Sequence, residues 1–362
     1  MKKTGSNRKK INLILGILSA VIVVLFAGLY LISVYVYNQN IDQRFESYEP
    51  LMLRIEDFDG LQRTRYEFPS DKGQMLTGYL YKNGEGQKGI VVIAHGFGGG
   101  GHNSYMDVAD EFARNGYLVF AYDATGNDES AGKGVGGFPQ GVIDLDYAIT
   151  FVEKSGLFPE LPVMLFGHSW GAYSVSSVLS QHPEVKAVIA CSGFNNSADM
   201  FESEGRKEAG DGIELFMPFV KLHERIRFGK YAVNTAMDGF AASDAAVLVL
   251  HSEDDNLVPM SIGYDLYYDK YAEDPRFTFI RLEDSGHNYV FDDRSYISEF
   301  NAGFDKWLET LDYDYNAADN RTRFADDKAA YIHENLDHER WSHKLDPLLF
   351  GIFVSFYDSN LS

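Results

Sequence analysis

The 362-residue sequence predicts an α/β protein: a mostly parallel central sheet with helices on both faces, an inserted helical cap, and one transmembrane helix ahead of them. Three observations predict this. Short apolar runs of strand length recur along the chain as GIVVIAHG, YLVFAYD, LPVMLFG, VKAVIACS and AVLVLHS. Such continuous apolar runs suit strands buried on both faces. Helix-period segments alternate with them, the pattern of parallel strands joined by crossovers. Finally, residues 11–36 carry no charge.

That first segment, INLILGILSAVIVVLFAGLYLISVYV, makes a helix of roughly 39 Å at 1.5 Å per residue, enough to cross a hydrocarbon core of about 30 Å. Lys2, Lys3, Arg8, Lys9 and Lys10 precede it, and Asp42, Glu46 and Glu49 follow. The basic flank predicts a cytoplasmic segment 1–10, a transmembrane helix 11–36 and an extracytoplasmic remainder, hence a single-pass protein of the cell membrane. A cleaved signal peptide is the rival, but its apolar region usually runs about 7–15 residues and ends in a small-x-small site; this run is longer and ends in VYVYNQN. Residues 37–60 read as a polar linker.

The domain from 61 to 311 follows. TRYEFPS and MLTGYLYK read as strands, the second ending at the turn NGEG. After GIVVIAHG, SYMDVADEFARNG reads as a helix with Met106, Val108, Ala109 and Phe112 on one face and Gly116 as its stop. PQGVIDLDYAITFVEKSG is a second helix, with Val142, Leu145, Ala148, Ile149 and Val152 on one side. FTFIRLED is the last strand. Residues 194–244 are too long for a simple connection and carry helical periodicity in ELFMPFVKLHERI, so they read as an inserted cap. Residues 312–362 read as a helical extension, whose last helix starts with Asp346 as N-cap and Pro347 in its first turn.

Composition excludes some functions. Net charge is -21, so nucleic acid is a poor partner. The single cysteine, Cys191, lies in an apolar strand and reads as a structural thiol. Histidines spaced five apart in HENLDH and HERWSH diverge on a helix, and in DYDYNAADNRTR Ala317 and Arg323 stand where a calcium loop needs Gly and Glu, so no metal site is expected. The glycine run 98–101 lacks a following G-K-[ST] and reads as a flexible loop rather than a phosphate cradle. No cofactor is expected.

The chemistry lies in FGHSWGAYS. Ser169 stands between Gly167 and Gly171, after a strand and before a helix. A sharp strand–nucleophile–helix turn needs small residues on both sides, and the helix N-terminus then favours an oxyanion. A serine hydroxyl needs a base, and the base an orienting acid. Glu253, Asp254 and Asp255 follow the strand AVLVLHS, and His287 follows the last strand. All three groups thus fall at the strand ends where open α/β sheets bind ligands.

On these motifs residues 62–311 resemble the α/β-hydrolase superfamily, in the branch of serine aminopeptidase-like and monoacylglycerol-lipase-like hydrolases. The resemblance implies an α/β-hydrolase fold. Its D-x-x-V-P pattern matches Asp255-Asn256-Leu257-Val258-Pro259 and selects Asp255 as the acid; its Gly-His pair matches Gly286-His287. Its oxyanion loop matches His95-Gly96-Phe97, which implies the backbone N–H groups of Phe97 and Trp170 as oxyanion donors. The loop D-x-R-G-x-G-x-S is only partly kept in Asp123–Ser130, without its arginine and second glycine, so no role is carried onto it. The implied activity is a membrane-anchored serine hydrolase cleaving a carboxylic ester or amide through a Ser169–His287–Asp255 triad and an acyl-enzyme. Its substrate would be a small-molecule ester, acyl compound or peptide, with the membrane held through residues 11–36. A serine aminopeptidase-type peptidase and a non-catalytic hydrolase-fold binding protein are the alternatives.

Overall fold

The computed structural model describes residues 4–361; of the basic segment 1–10, residues 1–3 lie outside them. The first helix, α1 (Thr4–Asn40), extends past the apolar run. It is long and apolar enough to cross a membrane, and its most apolar stretch is not buried in the rest of the protein. Its far end is held differently. Tyr37 is fully buried and its hydroxyl donates to Glu224 Oε1 at 2.7 Å.

The stretch read as a linker is instead packed against the domain. Phe45 N–H donates to the Gly126 carbonyl at 3.0 Å. Ser47 donates through both its N–H and its hydroxyl to Asp128, each at 2.6 Å. Arg44 Nη1 reaches the carbonyls of Ser130 and Gly132, each at 3.0 Å. Leu53 and Asn103 exchange two bonds of 2.9 Å. These bonds, backbone and side-chain alike, run along an irregular chain and leave no hydrophobic period to read.

Eight strands follow: β1 (Gln62–Pro69), β2 (Met75–Lys82), β3 (Gly89–Ala94), β4 (Tyr117–Tyr122), β5 (Val163–His168), β6 (Ala187–Cys191), β7 (Ala246–Ser252) and β8 (Phe277–Leu282). They form one sheet in the order β1-β2-β4-β3-β5-β6-β7-β8. β2 is antiparallel to β1 and β4, and the pairs from β4 through β8 are parallel. β3, β4, β5 and β6 are buried along their whole length, so both faces are apolar and the runs are continuous. β1, at the edge, keeps mostly exposed side chains.

The next helices are α2 (Met106–Arg114), α3 (Phe138–Lys154) and α4 (Trp170–Ser177). The cap carries α5 (Ser197–Ala209), α6 (Met217–Phe228) and α7 (Ala236–Ala242). Then come α8 (Tyr264–Tyr271), α9 (Arg294–Leu308), α10 (Arg321–Asn335), α11 (His338–Ser342) and α12 (Pro347–Asp358). The two larger apolar cores flank the sheet, and alternate residues of each central strand feed one or the other: Ile90 and Val92 join α3 and α4, whereas Val91 and Ile93 join α2 and α12. A smaller cluster of Tyr296, Ile332 and Leu336 lies between α9 and α10.

The C-terminal helix is thus part of the domain. Asp346 caps it by accepting from Leu348 and Leu349 N–H at 2.8 and 3.1 Å. Phe353 and Tyr357 are fully buried, and the Tyr357 hydroxyl donates to the Leu165 carbonyl of β5 at 2.7 Å. Phe353→Ala leaves a cavity against Phe166 and Phe350, aromatic partners of Phe353 in this core. It is expected to cost about 3–5 kcal/mol of unfolding free energy, read from denaturant titration.

Candidate active site

Ser169 sits on the turn between β5 and α4 with φ 57° and ψ −116°, a conformation that costs a non-glycine residue energy. Its N–H donates to the Cys191 carbonyl of β6 at 2.8 Å, which helps hold the turn. A Cβ on Gly167 would collide with the Gly171 carbonyl, and one on Gly171 with the Ala94 carbonyl. Close backbone approach therefore requires both glycines of the motif.

His287 lies in the loop after β8. Its Nε2 is 2.8 Å from Ser169 Oγ and its Nδ1 is 2.7 Å from Asp255 Oδ2. Asp255 Oδ1 accepts the N–H groups of Leu257 and Val258 at 2.9 and 2.8 Å, so the residues after the acid fix its orientation. The neighbouring acids are engaged elsewhere. Asp254 accepts from the Ser252 hydroxyl and Gly286 N–H at 2.6 and 2.8 Å, and Glu253 pairs with Arg281 at 2.7 Å. Burial alone would raise the Asp255 carboxyl, but hydrogen bonds from His251 and His287 outweigh it and hold it far below the usual carboxylate range. It is ionised at neutral pH.

Three further side chains brace this arrangement. Tyr105 Oη accepts Gly96 N–H at 3.0 Å and lies 2.9 Å from His168 Nδ1. His168 Nε2 is 2.9 Å from the His287 carbonyl. Burial and the adjacent His287 push the His168 pKa down to about 3, so this imidazole is neutral and serves as a fixed strut. His95 Nε2 accepts Ala124 N–H at 3.0 Å. Phe97, in the loop after β3, lies edge-on to Trp170, the first residue of α4, at 5.7 Å between ring centroids. Both line the same cavity as Ser169 and His287.

That cavity is about 640 Å³. Phe97, Phe138, Phe194, Met200, Leu257 and Val258 supply an apolar wall. Ser47, Tyr48 and Leu51 come from the packed stretch after α1, and Trp341 and Lys344 from the C-terminal extension. Lys344 is almost wholly buried and ion-paired with Asp107. Burial would lower its pKa, but the Asp107 and Asp292 carboxylates raise it. Its segment bridges the chain just beyond His287: Asp293 N–H donates to the Lys344 carbonyl at 2.7 Å and Asp346 N–H to the Phe291 carbonyl at 3.1 Å. Nothing around a single tail lysine marks it in the sequence as a cavity residue.

Asp292 has a buried Oδ1 without a hydrogen-bond partner among the described residues. Burial, aided by Asp107 and opposed by Lys344, raises its pKa to about 7. An acid raised this way holds its proton in the folded state between its unfolded value, about 3.9, and that higher pKa, so stability falls as pH rises through that window. Asp292→Asn should flatten this contribution, read as a smaller loss of unfolding free energy between pH 5 and 8 in denaturant titrations.

Comparison with known proteins agrees with this architecture. The profile of the family "Serine aminopeptidase, S33" matches residues 85–231. The monoglyceride lipase of Rattus norvegicus is 35% identical over 102 residues, 27% of this chain and 32% of that protein, so the matched stretch spans about a third of the relative. The monoacylglycerol lipase of Mycolicibacterium smegmatis is 24% identical over 242 residues, 59% of this chain and 86% of its own length. Among solved structures, a Pyrococcus furiosus esterase superposes with a TM-score of 0.53 at 18% identity, covering 74% of this chain and 97% of that one, which shows the fold. With its sheet order and strand-end loops, the chain has an α/β-hydrolase fold, and its sequence is similar to serine aminopeptidase-like and monoacylglycerol-lipase-like hydrolases.

Proposed function

We propose that the protein is a membrane-anchored serine hydrolase that cleaves carboxylic esters of apolar acyl groups, with Ser169 as nucleophile, His287 as base and Asp255 as orienting acid. The hydrogen-bonded series Asp255–His287–Ser169, open to an apolar cavity, is the observation that supports this most. His287 Nε2 takes the Ser169 proton as Oγ attacks the ester carbonyl carbon. The displaced electron pair rests on the carbonyl oxygen, stabilised by the N–H groups of Phe97 and Trp170 and by the N-terminus of α4. Collapse expels the alcohol, which takes the proton from His287. Water, deprotonated by His287, then attacks the acyl-enzyme; the acid leaves and Ser169 recovers its proton.

Ester is favoured over peptide by the cavity wall. Glu204, which lines the cavity, pairs with Lys207 at 2.5 Å, and Glu202 pairs with Arg206 at 2.7 Å. Carboxylates already matched by cations make a poor receptor for a peptide's free amine. The anchor is the apolar run 11–36 of α1, with the basic residues before that run on the cytoplasmic side and the acidic domain across the membrane.

Ser169→Ala is expected to lower kcat by about 10⁴-fold or more, and Asp255→Asn by about 10⁴-fold. In a series of p-nitrophenyl esters, kcat/KM should rise up to about fourfold per added methylene until the cavity is filled. Aminoacyl anilides assayed beside them should turn over far more slowly. Faster anilide cleavage overturns the ester reading, and no turnover of either class favours a binding protein.

A further inference from the structure

The cap meets α1 at a depth that the anchor itself defines. The charge-free run ends at Val36, and Phe26 lies ten residues earlier. Wherever a core of about 30 Å falls along that run of roughly 39 Å, Phe26 sits roughly 7–15 Å below its outer edge. The Phe219 ring of α6 packs edge-on against Phe26, with centroids 5.8 Å apart. Further along, His223 of α6 lies beside Tyr30 and Tyr37, and Arg227 pairs with Asp42 at 2.9 Å, beyond the end of the apolar run. α6 therefore climbs outward beside α1, with its first turns at the depth of the acyl chains.

Its outward side chains suit that position. Leu222 and Ile226 are 47% and 68% exposed. Lys221 and Arg225, and Lys230 just after α6, are exposed beside them; Glu224, the one acid within α6, is buried, and the exposed Glu214 in the turn before α6 is paired with Arg206. This basic stretch stands out in a chain with 53 acidic against 32 basic residues. An apolar stripe with flanking lysine and arginine is the composition of a helix seated in a bilayer interface, its cations at anionic headgroups.

We propose that the start of α6 is inserted in the outer leaflet beside α1, with Phe219 and Leu222 among acyl chains and Lys221, Arg225 and Lys230 at anionic lipid headgroups. The inference rests on α1 being a membrane anchor. It gives the cap a second attachment to the bilayer. The cavity wall includes Asn40 and Ile41 at the end of α1, so the site would stand directly over the leaflet from which an apolar ester arrives.

The test uses the full chain in vesicles of phosphatidylcholine and phosphatidylglycerol. Cys191 is fully buried in β6, so an engineered cysteine takes a fluorescent label selectively. Labels go on Leu222→Cys, on Val24→Cys within α1 and on Asp312→Cys in the exposed extension, with Ile226→Cys as a second α6 position. Folding of each is checked by turnover of a water-soluble ester. Nitroxides on the lipid acyl chains should quench the Leu222 label as they quench Val24, with a lipid-to-iodide quenching ratio about tenfold above that of Asp312. Quenching of Leu222 by iodide but not by lipid, with Val24 still lipid-quenched, overturns the inference and spares the anchor. Shielding from both quenchers overturns it in favour of a protein contact. Failure of lipid to quench Val24 overturns the anchor and the inference together.

Discussion

The strained backbone at Ser169 is the constraint on which the other features depend. A serine at φ 57° persists only where the surroundings leave no alternative. Here β5 ends between β3 and β6, the Ser169 N–H is committed to Cys191, and the two flanking glycines lie where a side chain would strike backbone. The turn lifts the hydroxyl off the sheet edge and starts α4 beneath it. His287 and Asp255 can meet that hydroxyl because β7 and β8 run parallel to β5 and end on the same edge. A parallel sheet thus converts separations of 118 and 32 residues into hydrogen-bond distances.

Segments outside the hydrolase domain complete the site. The chain after α1 forms one wall through Ser47, Tyr48 and Leu51, and Phe45 packs at 4.8 Å on Phe97 in the loop after β3. The C-terminal extension forms another through Trp341 and Lys344, and its backbone ties down the chain just beyond His287. Segments on both sides of the sheet domain therefore bear on the loops around Ser169 and His287, and the chain between α1 and β1 is packed structure rather than a free tether. The buried Lys344–Asp107–Asp292 group contributes little net stability as a cluster, because desolvation offsets attraction. Its geometry sets how the extension meets the His287 loop.

The central sheet was legible because burial on both faces demands uninterrupted apolar strands, and β3 through β7 supply them. The serine turn was legible because its glycines answer a local steric demand. Asp255 was not separable from Glu253 and Asp254 by residue type; the resemblance pointed to it, and the turn made by Leu257 and Val258 is the physical counterpart of that pattern. Residues 37–60 read as a polar linker because hydrogen bonds to loops distant in sequence carry no period. Lys344, Trp341 and the docking of α6 on α1 are tertiary facts. Each depends on partners far away in sequence, Asp107, Leu51 and Phe26 among them, and no local pattern encodes such a meeting.

The central claim is that one hydroxyl, activated by an imidazole, reacts with acyl-type electrophiles. The most direct measurement is intact-mass and peptide-mapping mass spectrometry after exposure of the full chain to a fluorophosphonate. The account predicts one adduct per chain, on the peptide containing Ser169, formed at a rate that falls when His287 is replaced by Ala. An unmodified protein, or an adduct on another residue, would contradict it.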